Sequence, residues 1–318
     1  MPLSSYKNII LHAGVHKTGS SYLQKTLSEN SSAIQAYSIY YPEYITKNGA
    51  THAGNHSLAV LGYKREVNLE TYLARFLNIH SRCETLLISA EELSRENTSS
   101  NFLDGIRSAA PNANFRAVIY LRRPDHLIES VYSESVKRTL HGDVSKASYQ
   151  LDFRKTLEPF IEAFGRSNIV VRPYNREKWL NNSLGADFCR AIGQEKLWDQ
   201  INPIEETINV SLSRSHTFLL SMLQNRAAKR HLLQLFDKKP FNIPEDKGKY
   251  FRSPEERRLL VERHRRVFVE IAEAFGLGNA DEFFGLSNFD DDNWTPFVPY
   301  WRRLMAYMAA LADDMAAG

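Results

Sequence analysis

Cysteine is nearly missing from this sequence: Cys83 and Cys189 are the only two in 318 residues, with no CxxC and no histidine pattern beside either. That excludes a disulfide framework and a zinc site of the usual spacing, and reduced thiols point to a cytoplasmic protein. Long hydrophobic runs are missing too. No stretch approaches the roughly 20 apolar residues that span a bilayer, and Ile9-Ile10-Leu11, after a polar start, is too short for a signal-peptide core. No integral membrane segment is expected. Charge of one sign is also scarce, since 40 Lys and Arg against 37 Asp and Glu leave a net +3. So small an excess argues against nucleic acid as a partner, although local basic clusters can still hold a small anion. What the chain does have, 43% hydrophobic residues, is the composition of a packed globular protein.

Short apolar runs recur at Asn8 to Ala13, Thr85 to Ser89, Arg116 to Leu121 and Asn168 to Arg172, separated by helix-length sequence. Continuous apolar strands alternating with helices predict an α/β fold: a P-loop-like parallel sheet flanked by helices. After Trp179 the pattern becomes mainly helical. Ser253-Pro254-Glu255-Glu256 opens a helix that ends before Gly276, with a serine cap, proline at the first helical position and glycine past the end. A second helix is expected from Trp301 to Met315. No linker divides the chain, so the expectation is one domain over 1–318, with an α/β core over 1–178 and a helical extension over 179–318.

The most informative stretch is Ile9-Ile10-Leu11-His12-Ala13-Gly14-Val15-His16-Lys17-Thr18-Gly19-Ser20-Ser21. A strand runs into a loop with two glycines, a lysine and three hydroxyls, and then into a helix. Glycines let backbone wrap an anion, successive N–H groups point inward, and the helix N-terminus adds favourable dipole charge. This is not a Walker A loop, because Lys17 precedes the second glycine instead of following it. A second anion element is Arg116-Ala117-Val118-Ile119-Tyr120-Leu121-Arg122-Arg123-Pro124-Asp125, a buried strand ending in arginines. Ser130 follows eight positions after Arg122. A guanidinium at a strand's carboxyl end, with a hydroxyl from the next helix, can clamp a phosphate.

Together these elements resemble the sulfotransferases that use 3′-phosphoadenosine 5′-phosphosulfate (PAPS), and most of all bacterial ones whose first motif reads like His-Lys-Thr-Gly-Thr-Thr. The resemblance implies that His16, Lys17, Thr18, Gly19, Ser20 and Ser21 hold the 5′-phosphosulfate, and that Arg122 and Ser130 hold the 3′-phosphate. It also implies PAPS as donor, 3′-phosphoadenosine 5′-phosphate (PAP) as product, and a carbohydrate, glycolipid or small-metabolite acceptor offering a hydroxyl or an amine. The likeness extends through Leu121 to Pro124 and Tyr132 to Lys137, with weaker echoes at Phe164-Gly165, at Asn209 to Ser213 and in the helix led by Ser253. Ser20-Ser21 replaces the usual threonines and keeps the hydroxyls. The glycine-bearing basic loop of cytosolic animal enzymes has no plain match, and Lys247-Gly248-Lys249 reads as a solvated loop.

Sulfuryl transfer builds charge on the leaving phosphate as a nucleophile approaches in line, so preorganised positive charge should dominate, with Lys17 its natural source. No metal is expected. An acceptor hydroxyl also needs a base, and His16, His52, His56 and Glu91 are the possibilities. Glu91 follows the strand that lies in sequence between the two motifs, which should bring it near Lys17 at the sheet's carboxyl edge; its alternative role is to cap the next helix. His52 and His56 read as an acceptor-lining loop, since Gly54 between them speaks against a zinc-binding helix. Asp290-Asp291-Asp292 lacks the ligand spacing of a calcium loop. Arg226, Lys229, Arg230 and the run Arg263 to Arg266 read as solvated helix faces, and Tyr37, Tyr40, Tyr41 and Tyr44 as core. A nucleotide-dependent kinase or NTPase, and a non-catalytic nucleotide-binding module, are the competing functions.

Overall fold

The computed structural model describes residues 2–45, 51–52, 56–61, 63, 67–79, 82–204, 212–238, 250–251 and 253–289. Gly54, Asn209 to Ser211, Lys247 to Lys249, Asp290 to Asp292 and the expected helix from Trp301 to Met315 lie outside them. The chain forms two compact units. The first comprises Met1–Arg123, Asp152–Ile208 and Arg266–Gly285; the second comprises Pro124–Leu151, Asn209–Arg265 and Leu286–Gly318.

The first unit is built on strands β1 (Asn8–Gly14), β2 (Ile39–Tyr40), β5 (Thr85–Ser89), β6 (Asn114–Leu121) and β7 (Ile169–Pro173), with a small antiparallel pair, β3 (Tyr44–Ile45) and β4 (Thr51–His52), between β2 and β5. The five strands make one parallel sheet in the order β2-β5-β1-β6-β7. The four apolar runs of the sequence are therefore all strands of one parallel sheet. The fold is α/β.

Alternation along the strands divides the core. On one face Ile10, Leu87, Val118 and Tyr120 pack with Leu23 and Leu27 of α1 (Ser20–Glu29), Ile34 of α2 (Ser31–Ala36), and Leu184 and Phe188 of α8 (Leu184–Ala191). Ile9, Leu11, Leu86, Ile88, Ala117 and Ile119 point the other way and are equally buried. That side carries α5 (Glu96–Ala109) and α7 (Phe153–Phe164), which pack on each other. Shorter helices α3 (Ser57–Leu61), α4 (Leu69–Leu73) and α12 (Ala280–Phe284) complete the unit.

Chain direction reverses around β1. From β1 the chain moves through α1 toward β2 on one edge, whereas from β5 it crosses through α5 to β6 on the other side. Because α1 and α5 cover opposite faces, the loops after β1 and β5 part, and such a switch point leaves a crevice at the strands' carboxyl ends.

The second unit holds α6 (Pro124–Val136), α9 (Arg214–Met222), α10 (Arg226–Lys238) and the first part of α11 (Pro254–Phe275). Ser253 caps α11 through Glu256 N at 3.1 Å, as its sequence predicts. One reading needs correction. Arg226 and Arg230 are exposed, but Lys229 is fully buried. Its Nζ donates to Val136 O at 2.8 Å and Leu140 O at 2.5 Å. An ammonium satisfying carbonyls at and just past the end of α6 is a helix C-cap, which charge patterning along α10 could not show.

Candidate active site at the carboxyl edge of the sheet

β1 ends at Gly14, and the loop before α1 has an unusual backbone. Lys17 and Gly19 take left-handed conformations, φ 67° and φ 72°, on either side of Thr18. Alternation of this kind turns neighbouring N–H groups toward a common point. A non-glycine residue in that region costs roughly 1–2 kcal/mol, so Lys17 stores strain. The Thr18 hydroxyl closes the loop by donating to Val15 O at 2.6 Å. Two glycines are required by space. A Cβ on Gly14 would stand 1.8 Å from Ser20 Oγ, and one on Gly19 would stand 2.5 Å from Leu184 Cδ2. Gly19 offers α1 no side-chain cap, so the first-turn amides of this helix have no partner within it. The Ser20 hydroxyl, 1% exposed, has no hydrogen-bond partner among the described residues. A buried orphan hydroxyl beside first-turn amides is a place prepared for an acceptor-rich group.

Arg122 stands just past β6, the strand beside β1. Its Nη1 donates to Lys17 O at 2.5 Å, and its guanidinium lies 5.1 Å from the Tyr174 ring centroid. The two motifs noticed in sequence are thus joined through the backbone of the loop. Ser130 is half-buried on α6, in the second unit. Ser21 is exposed at the start of α1.

Glu91 begins the 3-10 turn Glu91–Ser94 after β5. The expectation put it near Lys17; it meets the neighbour of Lys17, with Glu91 Oε2 3.1 Å from His16 Nδ1. Arg95 Nη2 lies 3.2 Å from His16 Nε2, and Arg95 Nε pairs with Glu92 at 2.7 Å. Sequence reasoning missed Arg95, a basic residue that stays half exposed while the turn sets it beside His16.

His56 is placed differently from a solvent-facing base. It is fully buried; its Nδ1 accepts from Ser89 N at 3.0 Å and its Nε2–H donates to Pro42 O at 2.8 Å. Burial lowers its pKa to about 4, against the opposing pull of the Pro42 bond. Both ring nitrogens are occupied by backbone, so His56 fastens β5 to the segment after β2. The backbone of His52 lies in β4, opposite Tyr44. Among the four tyrosines read as core, Tyr40 and Tyr41 are buried, and Tyr41 packs 4.6 Å from the His56 ring.

A buried histidine that sequence reasoning passed over lies beneath the loop. His12 Nδ1 is 2.7 Å from Ser89 Oγ, and Gln24 Nε2 donates to the same hydroxyl at 3.1 Å. Burial lowers the His12 pKa to about 4, partly opposed by the charge of Glu91. A histidine inside an otherwise apolar strand was the available signal.

Farther along the sheet, buried Asp187 on α8 accepts from Arg172 Nη2 at 2.5 Å, Arg172 Nε at 2.9 Å, Tyr120 Oη at 2.9 Å and Arg190 Nη2 at 3.0 Å. Tyr120 titrates well above its ordinary range because it is buried beside that carboxylate. Among the described residues no group of three His, Cys, Asp or Glu side chains could hold a metal ion, and no helix is long and apolar enough to cross a membrane.

The fold and this edge define a parallel α/β protein whose central strand ends in a glycine-bearing strand–loop–helix turn. No family model matches the chain. A stretch of 108 residues, 34% of the chain, is 31% identical to an uncharacterized protein of Archaeoglobus fulgidus and spans 29% of that protein's length. Among solved structures, a sulfotransferase from Alicyclobacillus acidocaldarius aligns with a TM-score of 0.37 and 16% identity, over 72% of this chain and 91% of that one. A likeness so distant carries no activity across.

Proposed function

We propose that this chain is a PAPS-dependent sulfotransferase, moving a sulfuryl group to a hydroxyl of a carbohydrate, glycolipid or small metabolite in the cytoplasm. The observation that carries the reading is the anion cradle after β1: left-handed Lys17 and Gly19 around Thr18, the close approach allowed by Gly14, and the buried Ser20 hydroxyl at the start of α1. Its residues fit a phosphosulfate. The donor supplies an activated sulfuryl group on a phosphate leaving group.

In this reading the amides of Thr18, Gly19 and Ser20 and the ammonium of Lys17 receive the negative charge that develops on the leaving side. Ser21 and His16 border the cradle. Arg122 and Ser130, on their sequence spacing, are the proposed partners of the 3′-phosphate. Glu91 is the proposed base: its Oε2 lies against His16 and its side chain is 27% exposed, so the other carboxylate oxygen can take the acceptor's proton. His56, with both nitrogens on backbone, serves this reading by holding β5 and hence Glu91 in place, and His52 is the proposed acceptor-side residue. The reading asks for no metal.

The test is thermal stabilisation by PAP compared with AMP, ADP and ATP. PAP should stabilise the protein far more than the others do; equal stabilisation by ATP overturns the reading in favour of a kinase or NTPase. PAP binding without turnover across a broad acceptor panel would indicate a binding module.

A further inference from the structure

The proposed base lies 3.1 Å from the ring of the residue that precedes Lys17, and the donor inventory of the three side chains involved constrains the ring proton. Arg95 carries no acceptor, so the 3.2 Å contact between its Nη2 and His16 Nε2 requires that Nε2 present a lone pair. The remaining ring proton then sits on Nδ1, which faces Glu91 Oε2 at 3.1 Å. That pairing favours the Nδ1–H tautomer of His16, with the proton on the nitrogen nearest the carboxylate. Arg95 is itself held by Glu92 at 2.7 Å. The chain Glu92–Arg95–His16–Glu91 starts and ends in the turn after β5 and passes through the loop after β1.

Resting on the sulfotransferase reading, we propose that His16 is the positioning residue for Glu91, held in a single tautomer by Arg95, and that it links the orientation of the base to the conformation of the donor loop. Lys17 is in a strained left-handed conformation next to His16. A shift of the loop that accompanies donor binding must therefore move the His16 ring and, through Nδ1–H, the carboxylate. Glu91 is aligned when the cradle is filled, which favours donor binding before acceptor.

Among the described residues, the charged and titratable groups facing this pair include Arg95 and Glu92 from the turn after β5 and His12 from β1, with Lys17 next in the chain. Buried His12 stays neutral above about pH 4. The acid limb of the rate profile then reports the carboxylate. A carboxylate that loses a hydrogen-bond donor keeps its proton to higher pH.

Two measurements test the proposal. Nitrogen-15 NMR of ring-labelled protein should show His16 as the Nδ1–H tautomer, and Arg95→Met should release it into a mixture. The Nε2–H tautomer in the wild-type protein would overturn the proposal whether or not the protein transfers sulfuryl groups; the Nδ1–H tautomer in a protein without such activity retains the pairing and removes only the sulfotransferase reading. The second measurement is the pH profile of kcat. His16→Ala should lower kcat roughly 10-fold to 100-fold and move the acid limb upward by roughly half to one pH unit. His16→Asn places an N–H near the Nδ1 position and should restore most of both. If His16→Asn is as impaired as His16→Ala and the acid limb stays in place, His16 is itself the base and the proposal falls.

Discussion

Arg122 Nη1 donates to the carbonyl oxygen of Lys17 at 2.5 Å, so the arginine after β6 braces the loop after β1 through its backbone. The contact gives Arg122 a role in shaping the cradle besides any contact with a nucleotide, and the two roles separate by measurement.

Arg122→Ala should lose the preference for PAP over ADP and ATP, costing about 1.5–3 kcal/mol or roughly tenfold or more in affinity. Ser130→Ala should lose preference without disturbing the loop. Isothermal titration of both variants against PAP and ADP checks this. Unchanged PAP affinity in Arg122→Ala would leave the arginine as a brace only.

Lys17→Ala and Lys17→Gly separate charge from strain. Each removes the ammonium and should cut turnover by roughly 10² to 10³ while weakening PAP binding less, because the bond being broken is absent from that product. Glycine also relieves the left-handed strain, so Lys17→Gly should be more stable than Lys17→Ala by about 1 kcal/mol in denaturant unfolding. Normal turnover at saturating donor in both would make the lysine a binding group.

Stability should fall as pH is lowered through the histidine range. His12 and His56 have folded pKa values near 4, below the ordinary 6.5. The unfolded chain therefore binds more protons between those values. The contribution is fully present above about pH 6.5 and is lost as pH falls toward 4, at roughly 1 kcal/mol per pH unit for each histidine. Urea midpoints from pH 7.5 to 4.5 should show this slope, and His56→Gln should reduce it at the cost of overall stability. A flat profile in the wild-type protein would mean that the two rings are hydrated.

Asp187→Ala should destabilise the first unit by about 3–5 kcal/mol, since it strands Arg172 and the buried Tyr120 hydroxyl without their acceptor. Asp187→Asn retains part of the hydrogen bonding and should cost less. Chemical denaturation orders the two. A loss under 1 kcal/mol for the alanine variant would show that water replaces the carboxylate.

Much of this was legible in sequence because the signals are local. Apolar β-branched runs with helix-length spacing determined the parallel α/β class, Ser253-Pro254 marked the start of α11, and Gly14 through Ser21 announced a strand–loop–helix turn. Gly14 answers to Ser20, six residues on, whereas Gly19 answers to Leu184 on a distant helix. Strands β2, β3 and β4 went unread, since two-residue strands carry no periodicity. Strand order was a tertiary decision: β1 lies between β5 and β6, and that alone sets His12 beside Ser89, 77 positions on, and brings His16 against Glu91. Arg95, Asp187 and Lys229 likewise look like ordinary surface charges along the chain. Each is defined by a partner on another element, and a one-dimensional pattern holds no information about which distant carbonyl or carboxylate the folded backbone will present.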